Sequence, residues 1–322
     1  MNGKLISQIH IDVNASNIVA TGVSDKYGIN LNAGVDHDDN RDPGARSLAD
    51  AIVETGSKRL RYPGGKKSLY FAWTADQSNP DPSTNYWTGY YASKAQTTLN
   101  FDAFMALCAE TGAEPHVNVA VNPADTSVFN QTLAAEWVRY ANITNNYNVK
   151  YWEIGNEMWN DRNYDGHTVD YTEIVDIVNT YSNAMKAVDP TIKVGVSWKK
   201  KQAQKLINEC GDALDFYVIS NYTDAGGKSY SDYANGTHVD LLKVNNNLSL
   251  KTVISEFNRS DWTKSTWDTA NNTGKGLINF DLIGQILESP KTEYGCFWNT
   301  RWFPDEDGVY SGTKWDAFDN QN

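Results

Sequence analysis

The sequence of 322 residues is 40% hydrophobic and 21% charged, which suits one large domain with a well-buried core. Its formal net charge is −12, and such an acidic surface argues against a nucleic-acid backbone or an anionic membrane as partner. No apolar stretch reaches the roughly 18 residues that a membrane-spanning helix needs. Three cysteines, Cys108, Cys210 and Cys296, lie in apolar stretches without framework spacing, so we expect buried free thiols.

Eight short apolar runs alternate with amphipathic segments, the pattern of a repeated βα unit and a parallel sheet. The predicted strands are Tyr27–Leu31, Arg59–Tyr62, Glu114–Ala120, Lys150–Ile154, Lys193–Ser197, Asp215–Ser220, Lys251–Ser255 and Tyr294–Trp298. Helical patterns cover Phe101–Thr111, Thr132–Asn142, Tyr171–Val188 and Gly276–Glu288. Eight units favour a (β/α)8 TIM barrel. A doubly wound sheet would need a glycine-rich turn after the first strand, and Asn30–Asp42 offers none.

The two ends depart from a complete barrel, which we place at residues 25–303. Within residues 1–24, Ile6–Val13 alternates apolar and polar residues as an exposed antiparallel strand does. Residues 304–322 form a turn-rich tail without a last helical pattern. We therefore expect the native protein to continue into an accessory β-sandwich.

Two glutamates stand at the ends of predicted strands. Tyr151-Trp-Glu-Ile-Gly-Asn-Glu157 ends the fourth strand and Thr252-Val-Ile-Ser-Glu256 ends the seventh. Because the carboxyl ends of barrel strands meet at one mouth, both carboxyl groups are expected to face the same site. Apolar surroundings tune the pKa of such groups, and a pair of them is what a glycosidase requires.

The same segments resemble known families. Arg59-Leu-Arg61-Tyr-Pro-Gly-Gly65 and Trp152-Glu-Ile-Gly-Asn-Glu157-Met resemble family 51 of α-L-arabinofuranosidases and endoglucanases. Ile254-Ser-Glu256-Phe-Asn is more similar to the β-xylosidase family 39. Both belong to a clan of retaining (β/α)8 glycosidases, so the resemblance implies that Glu157 is the general acid/base and Glu256 the nucleophile. Retention predicts carboxyl groups about 5–5.5 Å apart and needs no metal or other cofactor.

The resemblance also implies supporting roles. Asn156 matches the clan asparagine that binds the sugar 2-hydroxyl, and Arg61 matches the arginine that keeps the nucleophile ionised. Arg59, two residues earlier on the same strand face, is the rival candidate. Tyr222 resembles the tyrosine that donates to the nucleophile, although this chain has Asn221 where the clan usually has a histidine.

Further residues are candidates for sugar contacts. Trp298 resembles the tryptophan that floors the subsite of the cleaved sugar. His116 and Asn118 either face sugar hydroxyls or are satisfied core groups. Aromatic residues after strands two, four, seven and eight predict an open groove for several sugar units, unless they pack together and close a pocket. They are Trp73, Trp87, Tyr90, Tyr91, Trp159, Trp262, Trp267 and Trp302.

Acidic residues cluster in Asp36–Asp42 and Asp305–Gly308. Either could be a calcium site, but neither has the spacing of an EF-hand, and a solvated loop is the favoured reading.

These observations predict a retaining glycoside hydrolase that degrades polysaccharide, in the first instance an endo-acting enzyme for β-linked chains. The alternatives are an exo-acting α-L-arabinofuranosidase and a barrel that binds carbohydrate without cutting it. We expect a secreted or periplasmic, bacterial protein, although Met1–Gln8 lacks the apolar run of a signal peptide.

Overall fold

A computed structural model describes residues 16–18, 20–73, 97–160, 167–222, 247–258, 273–301 and 317–318. All eight predicted strands are present, and they close in chain order into a parallel barrel in which the first strand pairs with the last. The strands are β1 Tyr27–Asn30, β2 Arg59–Tyr62, β3 Glu114–Val119, β4 Tyr151–Ile154, β5 Lys193–Ser197, β6 Phe216–Tyr222, β7 Thr252–Asn258 and β8 Thr292–Phe297. The (β/α)8 fold is thereby confirmed.

Helices pack around the barrel in the described part of the chain. The α-helices are α1 Leu48–Glu54, α2 Phe101–Thr111, α3 Gln131–Val138, α4 Tyr171–Val188, α5 Ala203–Cys210 and α6 Thr273–Glu288. Shorter helical turns are Asp38–Asn40, Gly65–Tyr70, Arg139–Thr144, Lys200–Gln202 and Gly211–Ala213. Asn100 and Asp170 cap α2 and α4 by accepting backbone N–H groups, which explains why the predicted starts of these helices are correct.

The interior of the barrel changes from apolar to polar along the strands. At its base, inward-facing side chains form a separate cluster of Tyr151, Phe216, Val218, Val253, Tyr294 and Cys296. Nearer the carboxyl ends, the buried side chains include Asn30, Arg61, His116 and Glu153. Since buried polar groups are stable only with partners, this upper layer is where a functional site is expected.

A β-bulge in β7 determines which side chain faces the mouth. Ile219 pairs with Ile254, but the next residue of β6, Ser220, pairs with Glu256, so Ser255 is an extra residue. Val253 faces the barrel interior, and strict alternation from it would turn Ser255 inward and Glu256 outward. The bulge reverses this order and points Glu256 inward. Glu256 therefore lies inside a strand that extends to Asn258, and not at its tip as predicted.

The acidic segment after β1 has a different role from the one predicted. Asp36 is buried; its carboxylate accepts from Thr300 Oγ1 at 2.5 Å and from the Asn32 backbone N–H at 2.6 Å, and pairs with Arg301. It ties the loop after β1 to the loop after β8, so the solvated-loop reading is wrong for Asp36. Among the residues described, no group of His, Cys, Asp and Glu is arranged to hold a metal ion.

Other expectations are met or lie outside the described residues. Cys108, Cys210 and Cys296 are buried free thiols, as predicted. No helix in the described ranges is long and apolar enough to cross a membrane. The expected strand Ile6–Val13, Asp305–Gly308 and almost all of the tail fall outside those ranges.

Candidate active site

Arg61 is the centre of a buried polar network at the barrel mouth. Its side chain is fully buried and donates to four groups on four other strands or loops. The acceptors are Glu153 Oε2 at 2.7 Å, Asn156 Oδ1 at 2.7 Å, Asn30 Oδ1 at 2.9 Å and Glu256 Oε1 at 3.0 Å. The guanidinium thus fixes both the candidate nucleophile and the asparagine beside the candidate acid.

The Glu256 carboxylate is held from two sides. Arg61 donates to Oε1 at 3.0 Å, and the Tyr222 hydroxyl donates to Oε2 at 2.6 Å. Burial and, after it, the nearby charge of Glu157 raise the pKa of Glu256 to about 7, although Arg61 and Tyr222 oppose the rise. The group therefore changes charge near neutral pH, which is where a tuned active-site carboxyl is expected.

Glu157 lies in a tight turn directly after β4. Gly155 and Glu157 have φ of 62° and 46°, in the left-handed region. This conformation is natural for glycine but costs a glutamate on the order of 1 kcal/mol or more. Asn118 holds the turn from the neighbouring strand, because its Nδ2 donates to the Gly155 carbonyl at 3.0 Å. The Glu157 side chain is partly exposed at the mouth, in contrast to the buried Glu256.

Tyr222 donates the hydrogen bond to Glu256 that the resemblance implies. It is the last residue of β6, and not part of the following loop as predicted. Burial and the charge of Glu256 raise the pKa of Tyr222 well above its ordinary value. The phenol consequently stays protonated and acts as a donor to Glu256. The clan's upstream histidine is replaced by Asn221 without loss of this hydrogen bond.

Glu153 is a candidate site residue that the sequence reasoning missed. It is fully buried inside the barrel, accepts from Arg61 Nε, and has Oε2 3.0 Å from His116 Nε2. Burial by itself would raise the pKa of Glu153, but Arg61 and His116 outweigh it and the net pKa is lowered. The signal was available, since a glutamate two residues after inward-facing Tyr151 must itself face inward.

Two of the predicted polar residues, His116 and Asn118, lie below the mouth. His116 is fully buried, its Nδ1 shares a 2.8 Å hydrogen bond with the Tyr294 hydroxyl, and burial lowers its pKa, so the ring is neutral at pH 7. Asn118 is also fully buried. Both side chains lie in the barrel interior, which favours the core interpretation, and their contact with sugar hydroxyls stays a prediction.

Arg59 is excluded as the arginine beside the nucleophile. Its guanidinium lies between the rings of Tyr151 and Tyr294, 5.0 and 4.7 Å from their centroids, and pairs with Glu114 at the base of the barrel. Arg61, two residues further toward the carboxyl end, is the one that reaches Glu256.

Trp298 is buried at the end of β8, and its position explains the double glycine after β2. A Cβ atom at Gly65 would overlap the Trp298 ring, and one at Gly64 would overlap the Leu31 carbonyl oxygen. The Lys67 ammonium lies 5.1 Å from the centroid of the same ring. The Arg-Tyr-Pro-Gly-Gly run thus packs against the tryptophan that was predicted to hold the cleaved sugar.

The predicted aromatic groove is only partly described. Trp73 does not belong to it, because its ring is buried outside the barrel, stacked on Trp137 at 5.8 Å, and its Nε1 donates to the Leu133 carbonyl. Trp159, 38% exposed, lies at the mouth two residues after Glu157. The remaining predicted groove residues, Trp87, Tyr90, Tyr91, Trp262, Trp267 and Trp302, lie outside the described residues.

The arrangement unites two carboxyl groups in different surroundings. Glu256 is buried and receives two donors, while Glu157 is half-exposed on a constrained turn. Such a pair can divide the roles of proton donor and nucleophile. The predicted separation of about 5–5.5 Å stays a prediction.

Comparisons with known proteins bear on the fold and on the sequence resemblance. No family model matches the sequence. The curated α-L-arabinofuranosidase C of Emericella nidulans is 27% identical over 169 residues, which are 46% of this chain and only 31% of that protein. The α-L-arabinofuranosidase of Thermotoga maritima, solved with arabinose, has a TM-score of 0.65 at 20% identity, over 85% of this chain and 64% of that one. The family 51 enzyme of Thermotoga petrophila has a TM-score of 0.61 at 18% identity, over 87% and 64%.

The solved structures support the barrel fold, and the curated relatives support the sequence resemblance. The chain is thus a closed (β/α)8 barrel that is similar to the family 51 α-L-arabinofuranosidases.

Proposed function

We propose that the protein is a retaining glycoside hydrolase, and more specifically an exo-acting α-L-arabinofuranosidase. The observation that carries the proposal is the Glu256 carboxylate, held by Arg61 and Tyr222 at the mouth that it shares with Glu157. A barrel that only binds carbohydrate has no need to hold a buried carboxylate in this way, because burying such a charge is costly.

In the first step, Glu256 attacks the anomeric carbon and forms a glycosyl-enzyme, while Glu157 donates its proton to the departing oxygen. In the second step, Glu157 removes a proton from water, which attacks the same carbon and releases Glu256. Each step inverts the anomeric centre, so the product keeps the configuration of the substrate.

The proton must start on Glu157 and the negative charge on Glu256. Arg61 and Tyr222 both donate to Glu256, and donors of this kind favour the ionised form of the carboxyl they touch. With the pKa of Glu256 raised to about 7, the charge is present in only part of the molecules at mildly acidic pH. We therefore expect an acid limb in the pH profile of kcat/KM for the free enzyme.

In this proposal Asn156 binds the sugar beside the acid. Arg61 donates to its Oδ1 at 2.7 Å, which fixes the orientation of the amide group. A hydrogen bond from such an amide to the 2-hydroxyl strengthens as the transition state forms.

The choice of arabinofuranosidase over an endo-acting enzyme rests on the relatives, which are named α-L-arabinofuranosidases. The endo-acting reading depended on loop aromatics that would line a groove. Of these, Trp73 is buried away from the mouth, so this support is weaker than the sequence suggested.

The proposal is tested with aryl α-L-arabinofuranosides, aryl β-xylosides and soluble polysaccharides, with products followed by NMR. Arabinose released with retained configuration supports it, and Glu256→Ala should abolish turnover. Oligosaccharides released from a polysaccharide would select the endo-acting reading. Turnover of arabinosides by Glu256→Ala at the wild-type rate would refute the assigned mechanism.

A further inference from the structure

A cavity of about 290 Å³ opens beside the candidate acid/base, on the side of the mouth formed by β5 and β6. Its walls are Trp159, Trp198, Lys199, Lys200 and residues 217–220 of β6. The mechanism described above uses none of these side chains. The cavity is concave and partly aromatic, as sites for small molecules generally are.

The position of the cavity relates it to the leaving group. In the closed barrel, β5 and β6 follow β4, whereas β8, β1 and β2 lie across the mouth. Arg61 belongs to β2 and Trp298 directly follows β8, whereas Trp159 comes two residues after Glu157. Since the acid delivers its proton to the leaving oxygen, the leaving sugar must lie on the Glu157 side, next to this cavity.

The aromatic walls suit the face of a sugar ring. Trp159 is 38% exposed and offers a surface on which a ring can stack. Trp198 is buried and fixed, because its Nε1 donates to Gln202 Oε1 at 3.0 Å. It forms a rigid wall, and the Lys199 ammonium lies 4.9 Å from the centroid of its ring.

The charge of the cavity is opposite to that of the chain as a whole. The protein has a formal net charge of −12, yet Lys199, Lys200 and Lys201 follow one another at this rim. Within the described ranges, the recorded ion pairs of lysines involve Lys186, Lys193 and Lys251, and none involves these three. Two of the three, Lys199 and Lys200, line the cavity, and Lys201 does not.

We propose that this cavity is the leaving-group subsite and that it takes an anionic sugar, one that carries a carboxylate or a sulfate group. The ring stacks on Trp159 and the anion lies between Lys199 and Lys200, whose ammonium groups form no ion pair with the described residues and act as point charges. The inference rests on the proposed glycosidase function and extends it to the class of polymer that the enzyme debranches.

The test compares α-L-arabinofuranosides whose leaving groups are matched in shape and differ in charge. The pair is 4-carboxyphenyl and 4-carbamoylphenyl, with 4-sulfophenyl as the sulfate arm. The measured quantity is the ratio of kcat/KM for the anionic substrate to that for the neutral one. Comparing this ratio between variants cancels the intrinsic reactivity of the two leaving groups.

The double variant Lys199→Ala/Lys200→Ala should lower the ratio about fivefold, as expected for two exposed charge interactions. Lys201→Ala, which removes a neighbouring lysine outside the cavity, should keep the wild-type ratio. Because the ammonium groups are exposed, 0.5 M salt should reduce the wild-type ratio toward that of the double variant. A larger effect with the carboxylate than with the sulfonate would point to uronic acids, and the reverse to sulfated sugars.

An equal ratio in wild type and double variant would overturn the proposal, and so would an equal loss in Lys201→Ala. If no arabinoside is cleaved, the proposed function fails, and the subsite is then tested by binding alone. In that case D-glucuronate should give a stronger saturation-transfer NMR signal than D-glucose with the wild-type protein, and the double variant should remove the difference. No difference between the two sugars would overturn the subsite independently of the activity.

Discussion

The raised pKa of Glu256 makes a prediction about stability as well as activity. In the folded protein the pKa is about 7, against an ordinary value of 4.5. Between these values the folded state binds a proton that the unfolded state has lost, so the free energy of unfolding falls as pH rises. The contribution is fully present below pH 4.5 and is lost as pH passes through about 7.

The magnitude follows from the shift. A difference of about 2.5 units corresponds to about 3 kcal/mol at 1.36 kcal/mol per unit. Glu256→Gln removes this penalty, because its amide is neutral at every pH and still accepts a hydrogen bond at the position that Arg61 contacts. We expect the variant to match the wild type near pH 4.5 and to be more stable by about 3 kcal/mol above pH 8.

The assay is thermal unfolding of both proteins from pH 4.5 to 9, followed by circular dichroism. For a domain of this size the gain is roughly 5–10 °C in Tm at the alkaline end. Glu110→Gln is the control, since Glu110 is exposed on α2 and its replacement should leave the Tm difference flat with pH. A difference between Glu256→Gln and wild type that does not grow with pH would refute the reasoning, as would a more stable wild type at pH 9.

Three further changes test the surroundings of the site. Tyr222→Phe removes the 2.6 Å hydrogen bond to Glu256, so kcat/KM should fall about 10- to 100-fold. The acid limb of the kcat/KM profile should move to higher pH, because the ionised carboxylate loses a donor. An unmoved limb would contradict that role. Glu153→Gln removes a buried charge that raises the pKa of Glu256, so the acid limb should move to lower pH; a shift the other way in a folded variant would count against the network. Gly65→Ala places a Cβ atom in the Trp298 ring and should lower the free energy of unfolding in urea by about 1–3 kcal/mol. An unchanged urea midpoint would show that the ring can move aside without loss of stability.

The architecture could be read from the sequence because it depends on local patterns. Each barrel strand is buried on both faces, so it appears as a short apolar run, and the intervening helices show their own periodicity. Eight such runs were sufficient to predict the barrel and to place Glu157 and Glu256 at its mouth. Helix α4 was predicted with correct bounds because Asp170 caps its first turn.

Contacts between distant segments could not be read in the same way. Periodicity puts Arg59 and Arg61 on one face of β2 but does not say which of them reaches Glu256. The register between β1, β2 and β3 decides this, since it places Arg59 at the base and Arg61 in the upper layer. Trp73 was misplaced for a similar reason, because its stacking on Trp137 depends on how the segment after β2 folds back over α3.

The sequence by itself determined the strand order and the barrel, and it predicted the two carboxyl groups at the mouth, because hydrophobic periodicity and strand-end position are local properties. The tertiary structure alone decided the orientation, the hydrogen-bond partners and the pKa of the Glu256 carboxyl group. The bulge at Ser255 turns Glu256 inward, Arg61 is shared between Glu256 and Glu153, and burial raises the pKa of Glu256 to about 7. Each of these depends on distances between strands that are far apart in the chain, and electrostatic energies in a buried site change steeply with such distances.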